Sequence, residues 1–141
     1  MKTIDDAIFA MYDSISFERG ERPDWNRHRE IFAPDARLMR ITDDGMLVFN
    51  SESYVQDIET KVRSGEMPSF WEREIWRETR EFDDMAHVLS AYESRRSRTG
   101  AFLGRGVNSI QLFRVGENWR IGAMTWRRDG EHVRISDDPE L

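Results

Sequence analysis

The chain has 141 residues, with 21 Lys and Arg against 27 Asp and Glu, which gives a formal net charge of −6. This length suits one domain with its own hydrophobic core. Cysteine is absent, which excludes disulfides, thiol nucleophiles and metal sites with Cys ligands. The acidic excess is opposite to the basic surface that nucleic acid requires, so we expect no nucleic-acid partner.

The composition also indicates where the chain works and how it is organised. No apolar stretch approaches the roughly 20 residues of a membrane span, and the opening residues are too acidic for a signal peptide. We therefore expect a cytoplasmic protein that has no membrane partner. Its 8 Phe, 5 Trp and 3 Tyr indicate a folded chain. We find no repeat and no linker, so we expect a single domain over residues 1–141, with a frayed acidic tail from about residue 129.

The first part of the chain has the pattern of helices. Residues 3–18 carry apolar side chains at helical spacing, with Thr3 positioned to cap the first turn. A second, short helix is predicted between Pro23 and Pro34. A third helix is predicted to begin at Ser51, which is positioned as its N-cap.

Apolar and polar side chains alternate elsewhere, which predicts β-strands. Two short strands are predicted around the turn residues Asp44-Gly45. The later strands are predicted as an antiparallel meander over residues 70–82, 86–95, 107–115 and 119–127. Helices first and long strands last indicate an α+β fold in which N-terminal helices pack on one face of a curved sheet. Such a cone-shaped fold has a natural ligand pocket at its mouth.

Several segments resemble the nuclear-transport-factor-2-like (NTF2-like) superfamily, whose fold is also called cystatin-like. They are Phe32-Ala-Pro-Asp-Ala36, Tyr92-Glu-Ser94, Gly106-Val-Asn-Ser-Ile-Gln-Leu112, Trp119-Arg-Ile121 and Trp126. The resemblance covers nearly the whole chain and looks closest to the SnoaL-like branch, alongside ketosteroid isomerases, polyketide cyclases and dehydratases. It implies helices packed on a strongly curved mixed or antiparallel sheet, and a homodimer that forms through the sheet.

The catalytic carboxylates of the ketosteroid isomerases are not matched in this chain. Their proton-abstracting carboxylate lies five residues past the Asp of the first motif, a position that Arg40 occupies here. Their neutral carboxylic acid on the penultimate strand corresponds to Ser109 or Ile110. Their tyrosine on the first helix has a counterpart in Tyr12. The chain has three histidines, no two of which are predicted to share a pocket, so we expect structural or surface roles for them.

The catalytic candidates that remain are Tyr12, Arg40, Tyr92 and Glu93. Tyr92 and Glu93 are neighbours on a strand, so their side chains point to opposite faces of the sheet. If Tyr92 faces the helices and lines the pocket, Glu93 faces outward and pairs with an arginine on a neighbouring strand. A bulge would reverse this arrangement and place Glu93 in the pocket as a general base. We favour the outward ion pair.

Three polar residues, Asn108, Ser109 and Gln111, interrupt a strand that should be central and apolar. A buried amide without a partner costs roughly 1–3 kcal/mol, so these side chains need hydrogen-bond partners. In one interpretation, Ser109 and Gln111 share a face and bind a polar group of a ligand. In the other, they belong to a buried network, or Asn108 lies at a contact between subunits.

The expected pocket combines aromatic walls with a few polar groups. Its residues are Tyr12, Trp25, Met39, Tyr54, Tyr92, Ser109, Gln111, Met124 and Trp126. We expect it to bind a small, partly apolar organic molecule, with no metal ion and no cofactor. If the protein is an enzyme, we expect a cofactor-independent isomerase, dehydratase or cyclase. The alternatives are a non-catalytic ligand-binding or dimerisation module, and an accessory subunit of an oxygenase.

Overall fold

The computed structural model describes residues 1–129, and its helices and strands follow the predicted order. The elements in this range are α1 (Ile4–Ser14), α2 (Trp25–Ile31), β1 (Phe32–Thr42), β2 (Gly45–Asn50), α3 (Ser51–Arg63), β3 (Trp71–Phe82), β4 (Met85–Arg95), β5 (Phe102–Val115) and β6 (Asn118–Arg128). The predicted acidic tail lies outside the described residues from residue 130 onward. None of the helices in residues 1–129 has the length and apolar character that crossing a membrane requires.

The strands form one six-stranded sheet with the order β2-β1-β6-β5-β4-β3. β3 to β6 pair antiparallel as the predicted meander, and β1 and β2 form the predicted hairpin. The two parts join where β1 runs parallel to β6. Helix α1 packs against β3 and β6, and α3 packs against β1. This architecture confirms the predicted α+β fold with helices on a mixed sheet.

Helix α1 is shorter than its sequence periodicity predicted. Thr3 caps the first turn, because its hydroxyl oxygen accepts a hydrogen bond of 3.0 Å from the Asp6 N–H. The helix ends at Ser14 because Phe17 leaves it to form a β-bridge with Phe70. Two backbone hydrogen bonds of 2.8 and 3.0 Å join Phe17 and Phe70 and hold the end of α1 against the beginning of β3.

The end of α2 also differs from the prediction. The helix stops at Ile31, and Pro34 lies inside β1 instead of ending the helix. The ladder between β1 and β6 is irregular between Phe32 and Arg37. This stretch suits a proline, which has no N–H to donate to a neighbouring strand.

The cap of α3 is Asn50, so the prediction that Ser51 is the N-cap was off by one residue. The Asn50 side chain accepts a hydrogen bond of 2.8 Å from the Ser53 N–H, and the Ser53 hydroxyl accepts one of 3.0 Å from the Asn50 N–H. This reciprocal arrangement is a capping box. It satisfies two N–H groups that the first helical turn leaves without partners.

The hydrophobic core lies between the helices and the face of the sheet that they cover, which we call the inner face. Its largest fully buried apolar side chains are Ile8, Ile31, Phe32, Leu38, Val88, Ile110, Leu112 and Ile121. Each buried aliphatic or aromatic side chain contributes about 1.5–3 kcal/mol to folding. The opposite face, which we call the outer face, carries Glu93 and Ser109.

A bulge in β3 determines which charged side chains reach the inner face. The register between β3 and β4 shifts between Glu74 and Trp76. Before the bulge Glu72 and Glu74 lie on the inner face, and after it Arg77 returns to the same face opposite Ser90. Three charged residues of one edge strand therefore face the helices.

Candidate functional site

A cavity of about 120 Å³ lies between the helices and the inner face of the sheet. An engineered apolar cavity of about 150 Å³ holds benzene, so a space of this size suits a molecule of about one ring. Its apolar walls include Phe49, Tyr54, Tyr92, Met124 and Trp126, and its polar groups include Glu72, Ser94 and Asn108.

The aromatic walls are held by ring packing and by a glycine. Tyr54 lies edge-on to Trp126, with ring centroids 5.8 Å apart, and edge-on to Phe49 at 6.0 Å. The ring of Tyr92 covers Gly106 on β5, where a Cβ atom would lie 2.2 Å from the Tyr92 hydroxyl oxygen. Position 106 must therefore be glycine if Tyr92 is to keep this place in the wall. Among the described residues, the hydroxyl groups of Tyr54 and Tyr92 make no hydrogen bond, so both can bond to a ligand.

Glu72 places a carboxyl group in the wall of this cavity. Its backbone N–H donates a hydrogen bond of 3.1 Å to the Ser16 hydroxyl, which lies just beyond α1. Its carboxyl group accepts a hydrogen bond of 3.3 Å from the Ser94 hydroxyl on β4. Burial raises the pKa of Glu72 to about 8, although the charge of Arg128 and the hydrogen bond from Ser94 act in the opposite direction. The group is therefore mostly protonated near neutral pH and able both to donate and to accept a proton.

A chain of hydrogen bonds runs behind the cavity wall and orients Asn108. The Ser90 hydroxyl donates to the carboxylate of Glu74, so the Tyr12 hydroxyl donates to Ser90 over 2.6 Å. Tyr12 in turn accepts a hydrogen bond of 2.9 Å from Nδ2 of Asn108. Arg77 completes the chain by binding the Glu74 carboxylate with Nε and Nη2 at 3.0 and 2.8 Å. Because Nδ2 of Asn108 is used, the amide oxygen Oδ1 remains to accept a hydrogen bond from a ligand.

The structure brings five of the predicted site residues together in the cavity lining. They are Arg40, Tyr54, Tyr92, Met124 and Trp126. Tyr12 lies one layer behind the wall and reaches the cavity only through Asn108. Trp25 and Met39 do not line the cavity; the indole N–H of Trp25 donates instead to the Glu59 carboxylate at 2.6 Å.

The interpretation that Ser109 and Gln111 point into the cavity is wrong. Ser109 hydrogen-bonds with Nε2 of His87 at 3.0 Å on the outer face, and Gln111 is exposed. Because alternate residues of a strand face opposite sides, Asn108 takes the inner position opposite Ser90. The sequence contained the correct polar residue for the cavity but did not show which parity faced inward.

Glu93 lies on the outer face, as the favoured interpretation predicted. Its carboxylate accepts a hydrogen bond of 2.5 Å from Nε of Arg73, and Nε of Arg95 lies 3.6 Å away. Burial acts to raise the pKa of Glu93, but the hydrogen bond and charge of Arg73 and the charge of Arg95 together lower it. The bulge that would have turned Glu93 inward is instead in β3, so Glu93 has no place in the cavity.

Sequence reasoning missed Glu72, Ser94 and Arg128 as cavity residues. Glu72 stands in a run of acidic and basic residues, where charges on both faces of the strand hide any inward pattern. Its alternation with Phe70 and Glu74 was the available sign, but the inward face of that run was not apparent from the sequence.

His28 supports the cavity from behind and lies between aromatic rings. It stacks on Phe32 with a centroid distance of 4.3 Å and on Tyr54 at 5.6 Å. Burial lowers the pKa of His28 to about 4, with a further contribution from the charge of Arg29. The ring is therefore neutral at physiological pH and acts as a flat packing surface, the structural role that we expected for it.

Comparison with known proteins identifies the fold. No protein-family model and no curated protein sequence matches the chain. A cystatin-like protein of unknown function from Nostoc punctiforme superposes with a TM-score of 0.71 at 13% identity, over 91% of this chain and 90% of that one. An NTF2-like protein of unknown function from Silicibacter pomeroyi gives 0.62 at 13% identity, over 89% and 92%.

A hexachlorocyclohexane dehydrochlorinase, LinA-type3 from Novosphingobium barchaimii, superposes with a TM-score of 0.66 at 12% identity, over 90% of this chain and 84% of that one. Identities this low establish a shared fold and do not transfer an activity. The chain has the NTF2-like, cystatin-like fold, as its sequence motifs predicted. Its place in the SnoaL-like branch remains a prediction.

Proposed function

We propose that this protein is a cofactor-independent enzyme that moves a proton on a small, partly apolar organic molecule, the chemistry of isomerases and lyases. The observation that carries the proposal is the carboxyl group of Glu72 in the wall of a one-ring aromatic cavity. A titratable group that burial has shifted toward neutral pH is typical of a catalytic acid or base. A binding module needs no such group.

The cavity residues supply the parts of a proton transfer. The carboxylate form of Glu72 takes a proton from an acidic C–H bond of the substrate, and the electrons of that bond move toward the neighbouring carbon. Burial raises the pKa of Tyr92, so its phenol stays protonated and donates a hydrogen bond to the negative charge that develops. In an isomerase the same proton returns to another carbon atom. In a lyase a leaving group departs with its bonding electrons and a double bond forms.

The size of the cavity favours substrates of about one ring over steroids or polyketides. The dehydrochlorinase with the same fold is named for hexachlorocyclohexane, a one-ring compound, and that name describes an elimination. This likeness supports the lyase form of the proposal. The rival is a non-catalytic binding module or an oxygenase subunit, either of which would bind such compounds without changing them.

Proton exchange in D₂O tests the proposal directly. Cyclohexenones and halogenated or hydroxylated cyclohexanones are incubated with the protein, and NMR follows exchange of acidic C–H hydrogens and loss of leaving groups. We expect catalysis by the wild type and a loss of about 10²–10⁴-fold in Glu72→Gln, the usual contribution of a general acid or base. Glu93→Gln is the matched control, since that carboxylate faces outward.

Catalysis that survives in Glu72→Gln would contradict the role of Glu72. Binding of these compounds without exchange or elimination would favour the non-catalytic module.

We also propose that the protein forms a homodimer through the outer face of the sheet. The resemblance to NTF2-like proteins supports this arrangement, and Trp76 is a large, half-buried aromatic residue on that face. Light scattering should give twice the chain mass of 16.7 kDa. Trp76→Glu should shift the mass toward the monomer; an unchanged dimer would mean that another surface forms the contact.

A further inference from the structure

A second groove adjoins the cavity, and two arginines stand between them. The groove has a volume of about 380 Å³, and both Arg40 and Arg128 line the groove and the cavity alike. Arg40 lies opposite Trp126 in the parallel ladder of β1 and β6, and Arg128 follows Trp126 by two residues. The three side chains therefore lie on the same face, and the two guanidinium groups border the aromatic wall.

The side chains of Arg40 and Arg128 form no ion pair and no hydrogen bond with another residue in the described part of the chain, although their backbones pair within the sheet. Arg127, which stands between Trp126 and Arg128 in the chain, differs from the other two arginines in this respect. Its Nη2 donates a hydrogen bond of 2.5 Å to the Asp43 carboxylate. Gly104 makes room for Arg128, since a Cβ atom there would lie 3.1 Å from Nη2 of the guanidinium group.

The acidic groups around these two arginines are Asp57 and Glu72 in the cavity lining and Asp43 and Asp129 in the groove, and Asp43 already pairs with Arg127. Asp57 is already paired with Lys61 at 3.2 Å. Glu72 is mostly protonated near neutral pH, so it carries little negative charge. The cavity entrance therefore has two half-buried positive charges in a chain whose net charge is −6. Partly desolvated guanidinium groups bind carboxylates strongly, through paired N–H···O hydrogen bonds.

We propose that Arg40 and Arg128 bind the carboxylate of the substrate, which is a small organic acid whose ring or chain occupies the aromatic cavity. This inference rests on the proposed function and names its substrate class. An acid held in this way presents its carbon skeleton to Glu72 and Tyr92 while its charge stays at the entrance.

Binding of matched acids and amides tests the inference without any turnover. The probes are benzoate, phenylacetate and 3-phenylpropanoate, each compared with its own carboxamide by isothermal titration calorimetry at low salt. We expect at least one acid to bind the wild type about tenfold or more tightly than its amide, because charge-assisted hydrogen bonds are replaced by neutral ones. Added salt should weaken binding of the acid and leave binding of the amide unchanged.

Three variants with the same change in charge locate the site. Arg40→Gln and Arg128→Gln should each lower the affinity for the acid about tenfold and change the affinity for the amide by less than about twofold. Arg63→Gln is the control, since this exposed arginine lies on α3 and pairs with Glu59. Circular dichroism of each variant checks its fold. We expect the fold to be kept, because the side chains of Arg40 and Arg128 have no ion-pair or hydrogen-bond partner among residues 1–129.

Three results would each overturn the inference. The acid and its amide could bind with equal affinity, or no acid could bind up to about 50 mM. The loss of acid binding in Arg63→Gln could also equal the losses in Arg40→Gln and Arg128→Gln. Its failure can be told apart from failure of the proposed proton transfer. Glu72→Gln should still bind the acid if only the catalytic proposal is wrong. Uncharged substrates should still exchange protons in Arg40→Gln and Arg128→Gln if only the carboxylate site is wrong.

Discussion

The two faces of the sheet contain the same residue type in opposite states. Glu93 on the outer face lies beside Arg73 and Arg95, and their charges and hydrogen bonds lower its pKa. Glu72 on the inner face lies beside apolar and hydroxyl groups, and burial raises its pKa to about 8. Burial acts on both carboxyl groups in the same direction, so the contact with an arginine decides the result. Glu93 forms an ion pair with Arg73, whereas no arginine among the described residues lies within ion-pair distance of Glu72.

The largest expected effect comes from removing the space that Tyr92 occupies on the inner face. Gly106→Ala puts a methyl group 2.2 Å from the Tyr92 hydroxyl oxygen, so the ring must leave the cavity wall. We expect a loss of about 3 kcal/mol in the free energy of unfolding, as for other overpacked cores. Urea denaturation followed by tryptophan fluorescence measures it.

Gly122→Ala is the outer-face control for that substitution. Its Cβ atom would lie 3.1 Å from the ring of Phe113, which is partly exposed and can shift by a few tenths of an ångström. A loss in Gly122→Ala as large as that in Gly106→Ala would mean that the position of Tyr92 is not specially constrained.

The next largest loss of stability is expected from breaking the hydrogen-bond chain behind the cavity. Tyr12→Phe leaves Nδ2 of Asn108 without its partner and removes the donor to Ser90. We expect it to cost about 1–3 kcal/mol of stability, because a buried polar group is left unsatisfied. Tyr54→Phe, whose hydroxyl bonds to no described residue, should cost less than about 0.5 kcal/mol. Equal losses in thermal denaturation would remove the distinction between the two tyrosines.

The comparison between Glu72 and Glu93 predicts opposite pH dependences of stability. The folded pKa of Glu72, about 8, lies above its ordinary value of 4.5, so its folded form keeps a proton that the unfolded chain releases. The free energy of unfolding therefore falls as the pH rises from 4.5 to 8. The pKa of Glu93 is lowered, so its contribution is lost as the pH falls below 4.5.

Calorimetry across this pH range separates the two carboxyl groups. Glu72→Gln should flatten the decline in Tm between pH 4.5 and 8, and Glu93→Gln should flatten the decline below pH 4.5. If the proposed proton transfer is correct, Glu72 acts as its base and the rate should rise with pH through about 8. A pH–Tm curve that is the same in Glu72→Gln and the wild type would mean that its pKa is not raised.

The smallest effect is expected at Ser109 on the outer face. Ser109→Ala removes the hydrogen bond to the exposed His87 side chain. We expect stability to change by less than about 0.5 kcal/mol, as at other solvated positions. Binding of one-ring ligands should not change, because Ser109 does not line the cavity. A lower ligand affinity in this variant would mean that Ser109 takes part in ligand binding.

Much of the architecture was predictable because its causes are local. The Asp44-Gly45 turn and the alternation of β4 depend on residues that are neighbours in the chain. The C-terminal end of α1 was not predictable in this way. The helix ends where Phe17 pairs with Phe70, a partner distant in the sequence. The faces of Ser109 and Gln111 were assigned wrongly for a similar reason, because alternation alone does not say which side the helices cover.

The sequence by itself determined the class of fold, three aromatic residues of the pocket (Tyr54, Tyr92 and Trp126) and the opposition of Tyr92 and Glu93 across one strand. Only the tertiary structure decided that Glu72 is the carboxyl group of the cavity. Its pKa depends on Ser94 and Arg128, which other strands bring to it. The proton affinity of a side chain reflects all the groups and the solvent around it, and for Glu72 those surroundings exist only once the helices cover the sheet.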